Sequence, residues 1–580
     1  MGMIDAFSSL FSDNTNKVKE TTGVLDQLPE LALDTPDEDL IALSDLWEKR
    51  YQPYEAEVKK RQDRNKDYWK GKHFANKQND KAQVDNLIFE ALETFLPLAT
   101  KKNPEPFVRG DNSEEGQALA KNVQVMLTFH ADRLRMKLRL KRTTRDWALK
   151  LIGVQKHGWD ETQNDITSEV IRPENIIFDP DGTINDDMEY TGKYIGEKMS
   201  DTASNLIARF PNQTKYITKK VDKKIGTVVN YTEWWSCNPA EYVFWKLDKL
   251  ILGKTKNPHW NYENPQTVTD QYAAQTVQMV PGKNHFNAPK APYTFLGGVY
   301  NTGDHPHDET SLIEQAIPNQ DLVNKRQMQI DKNADSMNGG VVVSQERSGL
   351  TNDQATEVTE ALRAGGTVVI PRGAANEAIY RDQAPSLPGD IYQQLSDTRE
   401  ELRNIFGTRG STPSGTINEQ TATGKTLVRE QDSDRIGGGV TEYLEQFADA
   451  QFNWWVQLMM VYYDEPHAAS VIGKERAMEY VSLKGSDLVS KLTVSVKEGS
   501  LIPDSDTDRA NEAVELAKMN DIDPISLFDR LGFSDPKQAA ERLYMWRADP
   551  SMLFPEIGAQ IQEKQDAQMA QQAQQIAVKK

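Results

Sequence analysis

The triplet Gly424-Lys425-Thr426 has the residue types that close the phosphate-binding loop of P-loop nucleotide hydrolases. That loop also needs a glycine five residues before the one that precedes the lysine, because its backbone amides must curl around phosphate oxygens. Glu419 occupies this position, and its carboxylate would repel the phosphates. The preceding run GTRGSTPSGTI offers no apolar strand from which such a loop could start. The sequence therefore disfavours a nucleotide site and leaves this glycine-, serine- and threonine-rich segment with another role.

Two further segments contain residue types that bind metal ions. In the run DHPHD, residues 304–308, the proline restricts the convergence of His305 and His307, so we expect a turn before a helix. The acidic run DPDG, residues 179–182, resembles a calcium loop, but Ile184 stands where that loop needs glycine, which favours a plain turn. We expect no metal and no other cofactor.

The strongest local positive charge lies in residues 133–142, RLRMKLRLKR. The alternation of apolar and basic residues suggests a strand, whereas the neighbouring segments suggest a charged helix. A solvated or subunit-facing surface is the favoured interpretation, and direct contact with nucleic-acid phosphates is the alternative. The spacing of residues shows no catalytic triad and no paired carboxylates, so we expect a protein that is not an enzyme.

The composition is that of a large folded protein with an acidic surface. The 580 residues, 38% of them hydrophobic, suggest about three or four domains. Asp and Glu number 87 against 68 Lys and Arg, a net charge of -19, so any contact with DNA must be local or weak. Cys237 is the only cysteine, which excludes internal disulfides. No run approaches the roughly twenty apolar residues of a membrane span.

Hydrophobic periodicity separates helical stretches from a β-rich stretch in the first half of the chain. Helical spacing begins at Asp37, returns around residues 87–98 and appears again over residues 118–151. Between residues 154 and 299, short segments rich in Val, Ile, Tyr and Trp are separated by turn sequences, which predicts an antiparallel sheet. Helix returns at Ser311, where SLIE fits a capping box, and runs to about residue 337 with a kink expected at the proline of AIPNQ.

The second half predicts a small β-α-β module between long helices. GGVVVS and TVVIPRG read as strands, and a helix between them opens at Thr351 and stops at the pair Gly365-Gly366. Helices are expected over residues 388–406 and 419–463, the second broken or kinked at the GGG run. Two DP pairs, at residues 523 and 535, read as starts of later helices.

The predicted helix after Asn418 is unusually polar. Across residues 418–436 the large aliphatic side chains are few and charged side chains are frequent. A helix of this kind cannot be a core element, so it lies on the surface or lines a wet channel, and the sequence alone leaves both open.

The order of these segments resembles the portal proteins of tailed double-stranded DNA bacteriophages. Four stretches carry the resemblance, and their order is more specific than any one of them. They are KDYWKGK with VDNLIFEALETFLPLATKKNPEPFV, then LKLIGVQKHGWD with VIRPENIIFDPDG, then LIEQAIPNQDLVNKRQMQIDKNADSMNGGVVV, and then DTREELRNIFGTRGSTPSGTINEQTATG.

The resemblance implies a predominantly helical α+β portal fold with a β-rich wing, a helical stem, a small α/β clip and a helical crown. The implied divisions are an N-terminal arm (1–36), the wing (37–307), stem helix 1 (308–337), the clip (338–384), stem helix 2 (385–406), the tunnel loop (407–418), the tunnel helix (419–463), the crown (464–550) and a Gln-rich tail (551–580).

The resemblance also implies site residues. The expected DNA-channel residues of the tunnel loop and helix are Thr408, Arg409, Ser411, Thr412, Ser414, Glu419, Lys425 and Arg429. The expected docking residues of the clip are Thr351, Asp353, Gln354, Glu357 and Arg372. Over residues 387–436 acids slightly outnumber bases, among them Arg399 and Arg403, and near-neutral walls would let DNA slide.

The family forms a homo-oligomeric ring, usually of twelve subunits, at the portal vertex of the virion capsid. Its implied partners are the double-stranded DNA in the channel, the terminase large subunit, head-completion adaptor or tail proteins, and the major capsid and scaffolding proteins, without a membrane. Two alternatives stay open. One is a nucleotide-driven packaging ATPase, and the other is a DNA-binding virion protein that uses residues 133–142.

Overall fold

The computed structural model of the chain describes most of the sequence. The described residues are 34–74, 84–222, 224–269, 275–280, 282–300, 305–337, 340–363, 369–371, 378–382, 387–409, 436–464, 467–472, 478–485, 488, 492–497, 501, 506–519, 521–533 and 536–548. They form two compact units, Met1–His467 with Leu483–Leu501, and Ala468–Ser482 with Ile502–Lys580. The predicted N-terminal arm and Gln-rich tail lie almost wholly outside the described residues.

The helical stretches predicted for the N-terminal part are confirmed. They are α1 (Asp37–Trp69), α2 (Leu87–Ala99), α3 (Glu114–Arg133) and α4 (Met136–Lys150). The first turns of α1 bury Leu40, Leu43, Trp47 and Tyr51 in a core shared with the sheets. Burial of these apolar side chains, at about 25 cal/mol per Å² of surface, fixes α1 against the β-rich region.

The basic run 133–142 is a helix junction rather than one element. Arg135 has a left-handed backbone (φ 51°) and separates α3 from α4. The apolar residues Leu134, Met136 and Leu140 are buried, while Arg133 pairs with Asp165 (3.0 Å). The alternation that suggests a strand therefore arises from two helix ends, with only part of the charge exposed to solvent.

The antiparallel sheet predicted between residues 154 and 299 is confirmed, and it is divided. The strands are β2 (Gly153–Asp160), β3 (Asp165–Ile171), β4 (Ile176–Phe178), β5 (Tyr194–Thr202), β6 (Val228–Ser236), β7 (Tyr242–Leu247), β8 (Leu250–Lys256), β9 (Asn264–Thr269), β10 (Gln275–Val280) and β11 (Tyr293–Leu296). β4 to β8 form one five-stranded sheet in chain order, β11-β2-β3 form a second, and β9 pairs with β10. Short helices α5 (Ala203–Arg209) and α6 (Thr214–Lys220) follow β5.

Buried charge joins the two larger sheets. Lys156 on β2 places its Nζ 2.6 Å from both Glu197 of β5 and Glu233 of β6. The Tyr293 hydroxyl of β11 donates to Glu197 (2.8 Å). Burial opposes ionisation of Glu233, but Lys156 and two indole N–H groups outweigh it and lower its pKa to about 2. The sheets are therefore connected by a buried, hydrogen-bonded ionic cluster.

The helix predicted from Ser311 is α7 (Leu312–Met337), and it continues through Pro318. The capping box is confirmed, since the Ser311 amide donates to Glu314 (3.3 Å) and the Ser311 hydroxyl accepts from Ile313 (3.1 Å). Pro318 is the seventh residue of α7, beyond the first turn, so it removes one intrahelical amide donor without ending the helix.

The small module after α7 contains the first predicted strand and the helix but a different second strand. Its elements are β12 (Gly340–Val343), α8 (Gln345–Ser348), α9 (Asn352–Arg363) and β13 (Ile379–Asp382). The strand β1 (Pro106–Arg109) lies outside this module, in the N-terminal part of the chain. β12 pairs antiparallel with β13. The strand predicted for TVVIPRG is wrong over its described residues 369–371, which form no strand. The apolar run was the stronger local signal, but pairing with β12 selected the later segment.

The long helix that follows, α10 (Gly389–Phe406), matches its predicted bounds closely. The chain is described again from Ile436, where a π-helical turn, Gly437–Thr441, leads into α11 (Glu442–Tyr462). The three glycines thus widen the helix by one residue per turn rather than end it, consistent with the expected irregularity. The Thr441 hydroxyl donates to the Ile436 carbonyl across this turn (3.0 Å).

The remaining described elements follow α11. They are β14 (His467–Ile472), β15 (Met478–Leu483), β16 (Thr493–Val496), α12 (Asp506–Met519), α13 (Pro524–Arg530) and α14 (Pro536–Ala548). β16 pairs antiparallel with β1, although nearly four hundred residues separate them in the chain. The Asp523 cap predicted for α13 is confirmed, because its carboxylate accepts the amides of Ile525 (2.9 Å) and Ser526 (3.0 Å). In the described part of the chain, no helix is long and apolar enough to cross a membrane.

Candidate functional site

The N-terminus of α2 is the point at which the two long helices α7 and α10 attach to the body of the first unit. The amides of Leu87 and Ile88 donate to the side-chain oxygen of Gln320 on α7, at 3.0 and 3.2 Å. Gln320 is fully buried. The first amides of a helix have no intrahelical acceptor, so Gln320 supplies one to the Ile88 amide and shares the Leu87 amide with the Asp85 carbonyl (3.0 Å).

Two arginines attach α10 to the same helix start. Arg399 contacts Asp85 (2.6 Å) and Arg403 contacts Glu90 (3.1 Å). Arg403 is 7% exposed, so loss of its carboxylate partner would leave a charge that water reaches poorly. These arginines are therefore engaged in ion pairs inside the subunit, whereas the sequence count over residues 387–436 includes them as charges of a channel wall.

A third attachment holds the base of α7 against α1. Arg61 donates to the Glu314 carboxylate (2.7 Å), to the Glu309 carbonyl (2.7 Å) and to the His307 carbonyl (3.1 Å). About two turns of helix further along α1, the Tyr68 hydroxyl donates to Asp321 (2.7 Å). Together these contacts fix the direction in which α7 leaves the body.

The turn before α7 contains the histidines that were considered as metal ligands. The Asp308 amide donates to the His305 carbonyl (3.1 Å), which confirms a turn, although Asp304 lies outside the described residues. His307 is buried against the Tyr54 hydroxyl (3.1 Å), and burial lowers its pKa to about 3. Within the described residues no group of three or more possible ligands surrounds a metal site. The loop at Asp179 is likewise a turn, closed by the Gly182 amide on the Asp179 carbonyl (3.0 Å).

The expected tunnel loop begins where α10 ends. Gly407 ends the helix in a left-handed conformation (φ 63°), which a glycine adopts without strain. Thr408 is fully buried and its amide donates to the Arg403 carbonyl (3.0 Å). Arg409 pairs with Glu400 (3.2 Å) and is the first residue of the loop with a partly exposed side chain. The other expected channel residues, Ser411, Thr412, Ser414, Glu419, Lys425 and Arg429, lie outside the described residues.

The chain returns beside the same attachment point. The π-helical turn Gly437–Thr441 contacts α2, and Ile436 and Val440 are buried. The described elements on both sides of residues 410–435, α10 before them and the π-helical turn after them, therefore contact α2. Sequence reasoning did not predict this attachment, because its polar contacts join residues more than two hundred positions apart.

The expected clip residues lie on one exposed helix start. Thr351, Asp353, Gln354 and Glu357 are all exposed, and the Thr351 amide donates to the Gln354 side chain (3.1 Å). This bond confirms the predicted helix start. Arg372 lies outside the described residues.

A comparison with known protein families identifies the family of the chain. The chain matches the phage P22-like portal protein family over residues 49–580. It therefore belongs to the phage P22-like portal protein family.

Solved structures of a gene transfer agent (GTA) particle are similar at low identity. A chain of the native GTA virion is 10% identical with a TM-score of 0.35, and the alignment covers 77% of this chain and 90% of that one. The same values hold for the neck of the native particle computed with C12 symmetry. For the neck of the empty particle, computed with C6 symmetry, coverage is 78% and 91% at the same identity and TM-score. No curated protein sequence matches the chain.

Proposed function

We propose that this chain assembles into a ring at one capsid vertex and that double-stranded DNA passes through the centre of the ring during packaging and ejection. The observation that carries the proposal is membership of the portal family over residues 49–580. The attachment of α7, α10 and the π-helical turn to α2 supports it, because a channel needs long helices held at a fixed angle to a rigid body.

The segment between α10 and α11 is proposed as the channel-narrowing loop and the first part of the tunnel helix. Arg409, Ser411, Thr412 and Ser414 would face DNA from the loop, and Glu419, Lys425 and Arg429 from the helix. Small hydroxyls touch phosphates without holding them, so a moving duplex is not trapped. The buried position of Thr408 suits a residue that positions the loop rather than one that contacts DNA.

A charge substitution tests the channel assignment. Replacing Ser411, Thr412 and Ser414 together with Lys should slow packaging at low salt and less at high salt, because each lysine gains a phosphate contact that releases counterions. The matched control replaces the three residues with Asn. Equal packaging rates for the lysine variant, the asparagine variant and the unchanged protein at both salt concentrations would place this loop outside the channel.

The module between α7 and α10 is proposed as the clip, which would dock the terminase large subunit during packaging and a head-completion adaptor or tail protein afterwards. The exposed side chains at the start of α9, with Arg372, would form the docking surface. Deleting residues 339–372 should abolish packaging, and normal packaging by the deletion protein would contradict the clip assignment. Replacing Asp353 and Glu357 with Lys gives a milder test of docking that leaves the backbone intact.

A portal of this kind is proposed to be structural rather than enzymatic. The strongest opposing feature is Lys425 in its glycine-lysine-threonine triplet. Changing Lys425 to Ala should leave any ATP hydrolysis by the purified protein at background level, because Glu419 replaces the glycine that a phosphate cradle needs. Hydrolysis that depends on Lys425 would favour the packaging ATPase instead.

A further inference from the structure

Two of the described helices carry opposite charges on their exposed faces. On α7, Lys325, Gln329 and Lys332 are exposed and spaced by four and three residues, so they share one face. On α10, Asp390 and Asp397 are exposed and seven residues apart, so they also share a face. One chain thus presents a basic stripe on α7 and an acidic stripe on α10.

The ion pairs inside the chain do not use these charges. The α10 arginines, Arg399 and Arg403, point toward α2 and are paired there. Asp397 accepts a hydrogen bond from Gln393 of its own helix (2.7 Å). Among the described residues, Lys325, Lys332 and Asp390 take part in no ion pair. The bases of α10 are therefore used internally, whereas Asp390 and Asp397 remain available on the surface.

The spacing of the two stripes matches. Lys325 and Lys332 are separated by seven residues, as are Asp390 and Asp397, which is about 10.5 Å along each helix at 1.5 Å per residue. An antiparallel register that places Lys332 opposite Asp390 also places Lys325 opposite Asp397.

Within one chain, α7 and α10 already lie side by side in nearly the register that would pair the two stripes. Arg326 of α7 donates to Gln394 of α10 (2.8 Å), while Gln320 and Arg399 both reach the start of α2, so the two helices run in opposite directions. The register of the two stripes differs from this one by two residues, about 3 Å along the axis. Neighbouring copies can therefore pair these helices with almost no axial shift.

We propose that the basic stripe of α7 in one subunit pairs with the acidic stripe of α10 in a second copy of the chain. The stripes are different patches, so the contact is head-to-tail and each copy uses both, the arrangement that produces closed rings when the rotation permits. In this register Glu401 lies opposite Asp321, which confines the attraction to two ion pairs. The inference rests on the proposed ring and names the surface that joins its subunits.

Charge reversal with complementation tests this interface. The variant Lys325→Glu with Lys332→Glu, and separately Asp390→Lys with Asp397→Lys, should each raise the subunit concentration for half-assembly by roughly tenfold, because each places like charges across the interface. An equimolar mixture of the two variants should regain assembly, since copies that alternate around the ring meet opposite charges. Sedimentation velocity at low and high salt measures assembly, and far-UV circular dichroism checks that each variant is folded.

Two controls separate this interface from a general effect of charge. Lys59→Glu with Lys60→Glu reverses two exposed lysines of α1 and should leave assembly unchanged. Glu401→Gln removes an acid of the same α10 surface and should not weaken assembly. If the mixture assembles no better than either variant alone, the proposed pairing is wrong. If the unchanged protein still forms rings in that experiment, the proposed function stands. Unchanged protein that stays monomeric contradicts both.

Discussion

Lys156 neutralises two buried carboxylates between the sheets of the first unit. Replacing it with Met should destabilise the protein by about 3–5 kcal/mol, because Glu197 and Glu233 would remain buried without a cation. The control is Lys198→Met, which breaks a more exposed ion pair with Glu55 and should cost about 1 kcal/mol or less. Urea unfolding of both variants measures the difference, and equal losses would contradict a special role for the cluster.

The same cluster makes the stability of the folded protein depend on pH in the acid range. The folded pKa of Glu233, about 2, lies below its ordinary value of 4.5, so its contribution to stability is present above about pH 4.5 and is lost as the pH falls toward 2.

The pKa of Glu309, in the turn before α7, is shifted in the opposite direction. Glu309 is fully buried and accepts the Tyr300 amide (2.6 Å), and burial raises its pKa to about 7. The folded state then binds a proton more tightly than the unfolded state, so stability falls as the pH rises from about 4.5 to 7. Glu309→Gln should remove this loss, which is roughly 3 kcal/mol for a shift from 4.5 to about 7. Thermal unfolding of both proteins between pH 4.5 and 8 measures it, and parallel pH profiles would refute the assignment.

At the scale of elements, the attachment of α10 to α2 should be weakened by a single substitution. Glu90→Ala removes the carboxylate that faces the buried Arg403 guanidinium (7% exposed) and should cost about 3 kcal/mol. Arg409→Ala breaks the more exposed pair with Glu400 and is the matched control, expected to cost about 1 kcal/mol or less. Hydrogen exchange should show faster exchange of α10 amides in the first variant than in the second. No difference between the two would mean that α10 is held by its apolar contacts alone.

Local periodicity predicted the helices of this chain well, because a helix is specified by nearby residues. The predicted bounds 388–406 and 311–337 differ by one residue from α10 and α7 at their starts. The pairing of β12 with β13 could not be predicted in this way, since the apolar run TVVIPRG gave a stronger local strand signal than residues 379–382. A strand partner is selected by tertiary contacts that the local sequence does not contain.

The sequence predicts the segment in which the candidate site lies, but it does not predict the contacts that attach the neighbouring helices to α2. Glycines and small hydroxyls between two long helices indicated a loop, and Gly407 does end α10 there. Gln320, Arg399 and Arg403, which attach the flanking helices to α2, carry no motif, because their partners lie hundreds of residues away in the chain. The sequence count includes Arg399 and Arg403 as charges of the channel, and the structure shows both in ion pairs inside the subunit.

At the scale of the whole molecule, the net charge of -19 limits how the chain can act on DNA. An acidic protein repels a duplex at long range, so a grip along its surface is disfavoured and passage through an enclosed channel with few phosphate contacts is favoured. The function proposed for this portal-family chain, a channel around DNA, is of this second kind.

The central claim is that copies of this chain close into a ring around a channel, and electron microscopy of the purified full-length protein tests it most directly. Negatively stained particles viewed along their axis should show a closed ring with a stain-filled centre wide enough for a DNA duplex of about 20 Å. The mass from native mass spectrometry should be a whole multiple of the 65.6 kDa subunit. Particles that stay monomeric at every concentration, or oligomers without a central opening, would contradict the account.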